Sequence, residues 1–193
     1  MTGVIDIGIE TYCPGDQIIQ HTIYYPGNLG IAVSADNIAI FGNLCVGGTG
    51  GILLGNFATH CSVWHNTFVK TEYSAINASP GVTFEIWNNI FAFNSTWGIT
   101  NSPGAITSNN NNLWSNVIGG DCDNCTLGSE AVSSDPLFVD RNNDNYLLQP
   151  TSPAMNAPAI SATPKYFSPM KARKWQNARA NMGNLLFFLW TFP

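Results

Sequence analysis

An asparagine recurs at a fixed interval in the first part of the sequence. Asn43, Asn66, Asn89 and Asn112 follow one another at steps of 23 residues. An apolar residue stands two positions before and two positions after each of the first three. A repeat of this length indicates a solenoid, in which one small structural unit stacks on the next. This interval therefore constrains the fold more strongly than any single motif.

A second repeat indicates that each unit is built from short strands. A small residue followed by isoleucine recurs at steps of 21 to 24 residues. The pairs are Gly8-Ile9, Gly30-Ile31, Gly51-Ile52, Ala75-Ile76 and Gly98-Ile99. The alternating apolar pattern around these pairs and around the asparagines fits strands of about three to five residues and is too short for helices.

The repeat resembles that of the right-handed parallel β-helix proteins of the pectate-lyase-like superfamily, over residues 4–116. The segment from Ser134 to Ala157 is similar to the closing segment of secreted and surface-anchored bacterial β-helix proteins. The resemblance implies an all-β, single-stranded right-handed parallel β-helix of about five coils of about 23 residues. We predict coils at 1–133 with a cysteine-containing loop at 117–133, a closing segment at 134–157, and a basic and apolar tail at 158–193.

Stacked coils turn the repeat into columns of equivalent side chains, about 4.8 Å apart. The four asparagines, which tolerate left-handed backbone angles, are predicted to lie at bends and to form a hydrogen-bonded ladder. Strand alternation directs Phe41, Trp64 and Trp87 outward in one column. Such a row of rings suits a linear polysaccharide. Alternatively, the tail or a partner covers the rings, since exposed aromatic rows are rare on monomers.

Candidates for catalysis are few. A polysaccharide lyase needs a base near the sugar, and Lys70, His65 and Glu85 are weak candidates for such a role. A glycosidase needs two or three clustered carboxylates, and the outward column that contains Glu85 supplies no second one. The sequence therefore favours a protein without catalytic activity.

Two further patterns concern disulfides and metals. Cys122 and Cys125 are predicted to form a local disulfide, because a redox motif would need a strand-to-helix setting and zinc would need two more ligands. Asp140, Asn142 and Asp144 place oxygen atoms at alternate positions, as calcium loops do. The rest of a calcium loop is missing, so a simple turn is the preferred interpretation and Ca²⁺ the alternative.

Charge limits the choice of partners. Charged residues make up only 10% of the chain, and all twelve acidic residues precede residue 145. Five of the seven Lys and Arg residues lie in 158–193, which contains no acid. The acidic body disfavours nucleic acid, and the apolar run 185–190 is too short to span a membrane.

The composition and the cysteine pair fit a secreted or cell-surface protein, although no signal peptide pattern is present. Strand-like sequence begins close to Met1, which predicts a fragment or an open N-terminal end that a homo-oligomer or another partner caps. We predict an extracellular module that recognises a carbohydrate polymer along the aromatic column. The alternatives are a polysaccharide lyase or related carbohydrate-active enzyme, and a structural assembly module such as a tailspike-like trimer or an adhesin.

Overall fold

The computed structural model describes residues 7–101, 106–109, 111–116, 120–125, 128 and 131–156. Eighteen short strands, numbered β1–β18 in chain order, and two 3-10 helices, Arg141–Asn143 and Pro153–Asn156, make up its regular structure. The predicted tail at 158–193 lies outside the described residues.

The strands form three parallel sheets and one antiparallel hairpin. Sheet A contains β1 (Ile7–Thr11), β4 (Leu29–Val33), β7 (Gly50–Leu54), β10 (Ile76–Ala78), β13 (Trp97–Asn101) and β16 (Gly120–Asp123). Sheet B contains β2 (Gln17–Ile19), β5 (Ala39–Phe41), β8 (Cys61–Trp64), β11 (Phe84–Trp87) and β14 (Ile106–Asn109). Sheet C contains β3 (Thr22–Tyr24), β6 (Leu44–Val46), β9 (Thr67–Val69), β12 (Ile90–Ala92) and β15 (Asn112–Trp114). The hairpin pairs β17 (Phe138–Asp140) with β18 (Asn145–Leu148).

One strand from each sheet makes one winding, and every strand pairs in parallel with its equivalent in the next winding. In sheet B, for example, Ile40 pairs with Val63 and Val63 with Ile86. The predicted all-β, right-handed parallel solenoid is confirmed. The solenoid has about four turns, slightly fewer than the five predicted.

The core is a set of stacked apolar columns inside the three sheets. Ile31, Ile52, Ile76 and Ile99 follow one another up sheet A and are fully buried. On sheet C, the rings of Phe68 and Phe91 stack with their centroids 5.7 Å apart. Because like side chains lie over like in every winding, a repeated sequence is enough to fill the interior.

Close packing between windings explains why a small residue precedes each isoleucine of sheet A. A Cβ atom at Gly30 would lie 2.8 Å from the carbonyl oxygen of Gly51, and one at Gly51 would lie 2.7 Å from the Cδ1 atom of Phe68. Real Cβ contacts do not come this close, so the backbone must approach its neighbours without a side chain. The small-residue column therefore makes room for the larger side chains that sheet C directs into the core.

The asparagine ladder runs through a different fourth residue from the one predicted. The side chains of Asn43 and Asn66 donate to the Oδ1 atoms of Asn66 and Asn89, at 2.9 and 3.0 Å. The Nδ2 atom of Asn89 donates to the Oδ1 atom of Asn111, at 3.0 Å. The prediction of Asn112 as the fourth member of the ladder is therefore wrong. Asn112 follows Asn111 and pairs with Ile90 of β12 in the strand register. Four consecutive asparagines, 109–112, allow either alignment in the sequence.

The left-handed backbone at this bend belongs to the residue before each ladder asparagine. Gly42, His65 and Asn88 have φ angles of 66°, 54° and 52°. The ladder asparagines themselves do not have positive φ angles, contrary to the role proposed for them at the bend. Their buried amides instead satisfy backbone groups of the neighbouring winding, as a buried polar side chain must.

A second polar ladder, which the sequence did not reveal, lies at the bend between sheets C and A. The Oγ1 atom of Thr71 donates to the Oδ1 atom of Asn94 at 2.9 Å, and the Nδ2 atom of Asn94 donates to the Oδ1 atom of Asn116, also at 2.9 Å. The steps of 23 and 22 residues match the main period. Both bends of sheet C are thus closed by stacked polar side chains.

The closing segment packs as an additional layer on the outer face of sheet C. Phe138 and Tyr146 of the hairpin lie in a buried apolar cluster with Val46, Val69 and Ala92, one residue from each of three successive windings. The rings of Phe138 and Tyr146 meet edge to face at 5.2 Å between centroids. This layer brings the turn between β17 and β18 next to the bend that ends sheet C.

Candidate functional site

The predicted aromatic column exists, but its rings are not open to solvent. Phe41 pairs with Trp64 and Trp64 with Trp87 in the register of sheet B. The rings of Phe41 and Trp64 lie 5.5 Å apart between centroids. The three residues are 8%, 2% and 8% exposed, so the prediction of an exposed binding face is wrong. Strand alternation gave their direction correctly, but it says nothing about what lies above them.

The structure does not gather the three weak catalytic candidates into one site. Glu85 is buried on β11 in sheet B, and His65 lies at the bend between sheets B and C, with its ring against Phe41. Lys70 follows β9, at the other end of sheet C. Lys70 instead contacts Arg141, Asp144 and Tyr146 of the closing segment.

Asp144 is the centre of a connected polar cluster that is open to solvent. The Nζ atom of Lys70 lies 2.9 Å from one carboxylate oxygen, Oδ1, which also accepts a hydrogen bond from the Tyr146 hydroxyl at 2.9 Å. The other oxygen, Oδ2, accepts from the Tyr25 hydroxyl at 2.7 Å. We call Tyr24, Tyr25, Lys70, Asp144 and Tyr146 the Asp144 site.

Repeated bend geometry positions the residues that the β-helix contributes. Tyr25, Gly47 and Lys70 each follow the sheet C strand of their winding and share left-handed φ angles of 46°, 71° and 59°. The ring of Tyr25 packs directly beside Gly47. A Cβ atom added at Gly47 would lie 2.5 Å from the Cδ1 atom of Tyr25. Because Gly47 carries no side chain, Tyr25 from the first winding and Lys70 from the third reach the same carboxylate.

The charges and hydrogen bonds of the site reinforce one another. The Lys70 ammonium, with the hydroxyls of Tyr25 and Tyr146, lowers the pKa of Asp144 from 3.8 to about 2. The hydrogen bond to Asp144 raises the pKa of Tyr25, and burial followed by the Asp144 hydrogen bond raises that of Tyr146. At neutral pH the site therefore holds an ionised Asp144 carboxylate that accepts hydrogen bonds from the protonated hydroxyls of Tyr25 and Tyr146.

Aromatic rings surround these charges. The Nζ atom of Lys70 lies 5.5 Å from the centre of the Tyr146 ring, and the guanidinium of Arg141 lies 3.9 Å from that of Phe93. Tyr24 and Tyr25 are 49% and 57% exposed, with their ring centroids 6.3 Å apart. The site thus combines two accessible rings with hydrogen-bond donors and acceptors.

The turn that contains the predicted calcium ligands has a different arrangement. Asp144 accepts from Lys70 and two tyrosines, while Asp140 accepts from the side chain of Asn143 at 2.7 Å. Asn142 is exposed in the 3-10 helix between them. Among the residues that the structure describes, no group of three or more His, Cys, Asp or Glu side chains is placed to hold a metal ion.

The cysteines separate into three environments. Cys122 and Cys125 are joined by a disulfide at the end of sheet A. Cys45 and Cys61 are buried in the core, where burial raises the pKa of their thiols to about 12 and about 11. Cys13 is exposed. The two core thiols are thus poorly reactive apolar side chains.

Comparison with known proteins identifies the family. The sequence model of the family described as disaggregatase related matches residues 18–166, which is more than half of the chain and includes the Asp144 site. The chain belongs to the disaggregatase-related family. No curated protein and no solved structure shows a significant match to this disaggregatase-related chain. The resemblance to the pectate-lyase-like superfamily stays a prediction.

The family match covers both the windings from β2 onward and the closing segment. The Asp144 site of the disaggregatase-related chain is therefore built from parts that belong to one family unit. No helix within the described ranges is long and apolar enough to cross a membrane.

Acid should weaken the attachment of the closing segment. Because the pKa of Asp144 is lower in the folded chain than its usual 3.8, its contribution to stability is present above about pH 4 and is lost as the pH falls toward 2. We expect the wild type to be more stable than Asp144→Asn at pH 5, and the difference to shrink as the pH falls to 2. Urea unfolding at several pH values measures this difference. Asp140→Asn, in the same turn, is the matched control, and a gap for Asp144→Asn that does not change with pH would contradict the expectation.

Proposed function

We propose that this chain is a non-catalytic β-helix module that binds a carbohydrate polymer at the Asp144 site. The observation that carries the proposal is the pair of exposed rings of Tyr24 and Tyr25 beside the Lys70–Asp144 ion pair. Sugars present apolar faces that pack on aromatic rings, and hydroxyl groups that bond to charged and polar side chains. The family description, disaggregatase related, is compatible with a protein that contacts the material of an aggregate.

The proposal changes the binding face but keeps the predicted class of ligand. The column of Phe41, Trp64 and Trp87 is buried, whereas the tyrosines of the Asp144 site are accessible. Lys70 and Asp144 already satisfy each other and the neighbouring hydroxyls, so they suit binding better than proton abstraction. We propose further that the module acts at the cell surface or after secretion, which a local disulfide and a low content of charged residues support.

Binding to a panel of polysaccharides tests the function. We expect the Tyr24→Ala, Tyr25→Ala double variant to bind its polysaccharide about tenfold or more weakly, because two ring contacts are lost. Tyr12→Ala, which removes an exposed tyrosine from the first winding outside the site, is the matched control and should bind like the wild type. Affinity electrophoresis and calorimetry measure the difference.

Three results would overturn the proposal. The first is wild-type affinity in the double variant. The second is absorbance from unsaturated sugar ends during incubation, since this would identify a lyase. The third is the absence of binding to any polysaccharide together with a concentration-dependent trimer, which would favour an assembly module.

A further inference from the structure

Three asparagines stand two positions before a serine or threonine, which is the sequence pattern of N-glycosylation. The three patterns are Asn77-Ala78-Ser79, Asn94-Ser95-Thr96 and Asn124-Cys125-Thr126. A glycan on the side-chain nitrogen of asparagine is bulky and polar, so the folded protein must hold that side chain at its surface. The structure separates the three patterns by this criterion.

Asn94 has no room for a glycan. It is fully buried in the ladder between sheets C and A. Its Oδ1 atom accepts hydrogen bonds from the backbone and side chain of Thr71, at 3.0 and 2.9 Å, and its Nδ2 atom donates to Asn116 at 2.9 Å. The nitrogen that would carry the sugar therefore already joins two windings, and a glycan on it would prevent the ladder from forming.

Asn77 is also a poor acceptor. It lies half-buried on β10, where it pairs with Leu53 on one side and with Thr100 on the other. Its strand is thus held inside sheet A by both neighbouring strands. The serine of this pattern directly precedes Pro80, which restricts the backbone further.

Asn124 has the opposite setting. It is exposed and lies directly after β16, in the turn that the disulfide between Cys122 and Cys125 closes. Its φ angle of 53° is left-handed, a conformation that asparagine tolerates in turns. An exposed side chain at such a turn can carry a glycan without displacing a packed strand.

We propose that Asn124 is an N-glycosylation site and that Asn77 and Asn94 stay unmodified. The donor is a lipid-linked oligosaccharide. The Nδ2 atom of Asn124 forms a bond to the anomeric carbon of the sugar and loses a proton, while the bond from that carbon to the phosphate oxygen of the lipid breaks and the lipid phosphate leaves with the bonding electrons. The site rests on the secreted or cell-surface location in the proposed function, because this modification belongs to secreted proteins.

The modification has a consequence for sheet A. Among the strands that the structure describes, β16 is an edge strand of this sheet. Edge strands can pair with another chain unless something shields them. A glycan on the turn directly after β16 would provide such a shield.

Secretion of the full chain from a eukaryotic cell line tests the site. A cleavable signal peptide directs the chain into the secretory pathway, so the result does not depend on the natural location of the protein. Peptide N-glycosidase in heavy-oxygen water converts each glycosylated asparagine into labelled aspartate, which mass spectrometry locates. We expect the label at position 124 of the folded, secreted protein and not at position 77 or 94.

Variants of the pattern make the test specific. Asn124→Gln and Thr126→Ala are each expected to remove the glycan, which lowers the mass of the intact chain by one oligosaccharide. Thr126→Ser keeps the pattern and is the matched control, which should still be glycosylated. An unmodified Asn124 in the secreted wild type, or a glycan at Asn77 or Asn94 in the folded protein, would rule out the proposal. These variants leave the Asp144 site unchanged, so polysaccharide binding is tested separately.

Discussion

Asn66→Ala is expected to lower the free energy of unfolding by about 3 kcal/mol or more, because it leaves several buried polar groups without partners. The side chain of Asn66 takes part in five hydrogen bonds. It accepts from the backbone and side chain of Asn43, and it donates to the carbonyl oxygens of Ile40 and Trp64 and to Asn89. The loss therefore reaches the windings above and below.

Chemical denaturation followed by circular dichroism measures this loss. Asn77→Ala is a matched control in the same β-helix, because Asn77 is half-buried on β10 and outside the ladder. We expect the control to cost less than about 0.5 kcal/mol, as most surface substitutions do. Equal losses for the two variants would show that the ladder does not stabilise the solenoid.

Gly51→Val is expected to lower the free energy of unfolding by about 3 kcal/mol, through overpacking. The new Cβ atom would meet the Phe68 ring at 2.7 Å and collide with the carbonyl oxygen of Ala75 in the next winding. Valine favours strands, so intrinsic propensity cannot explain a loss at this position. The same denaturation experiment measures the effect.

Gly50→Val, at the adjacent position, is the control that separates overpacking at Gly51 from a general sensitivity of β7 to any larger side chain. The nearest atom to a Cβ there is the flexible end of the Leu29 side chain, at 3.1 Å, which can move aside. We expect the control to lose less than half as much stability as Gly51→Val. A larger loss at position 50 than at position 51 would refute the packing explanation of the small-residue column.

The repeat made the fold predictable, because stacked windings convert a sequence period directly into spatial columns. The inward isoleucines and the first three ladder asparagines follow from this rule alone. The position of the fourth ladder asparagine does not follow from it, because the run of asparagines at 109–112 fits steps of 22 and of 23 residues equally well. The hydrogen bonds of Asn89 to Asn111 and the register of β12 with β15 distinguish the two alignments.

The candidate site was less predictable, because its residues come together from distant parts of the chain. Lys70 and Asp144 were each singled out, but for separate roles, and they stand 74 positions apart in the sequence. Their contact depends on how the closing segment packs on sheet C, which no local pattern encodes. Likewise, alternation places Phe41, Trp64 and Trp87 on the outer face of sheet B but cannot say whether another layer covers them.

The parallel register of the three sheets also restricts how the length of such a chain can change. An insertion of one complete winding, about 23 residues, preserves every column and adds one more rung to each. A change of a single residue within a strand reverses the orientation of the side chains that follow it, so that apolar groups point outward. Proteins built on this plan are therefore expected to lengthen and shorten by whole windings, with small insertions confined to the bends.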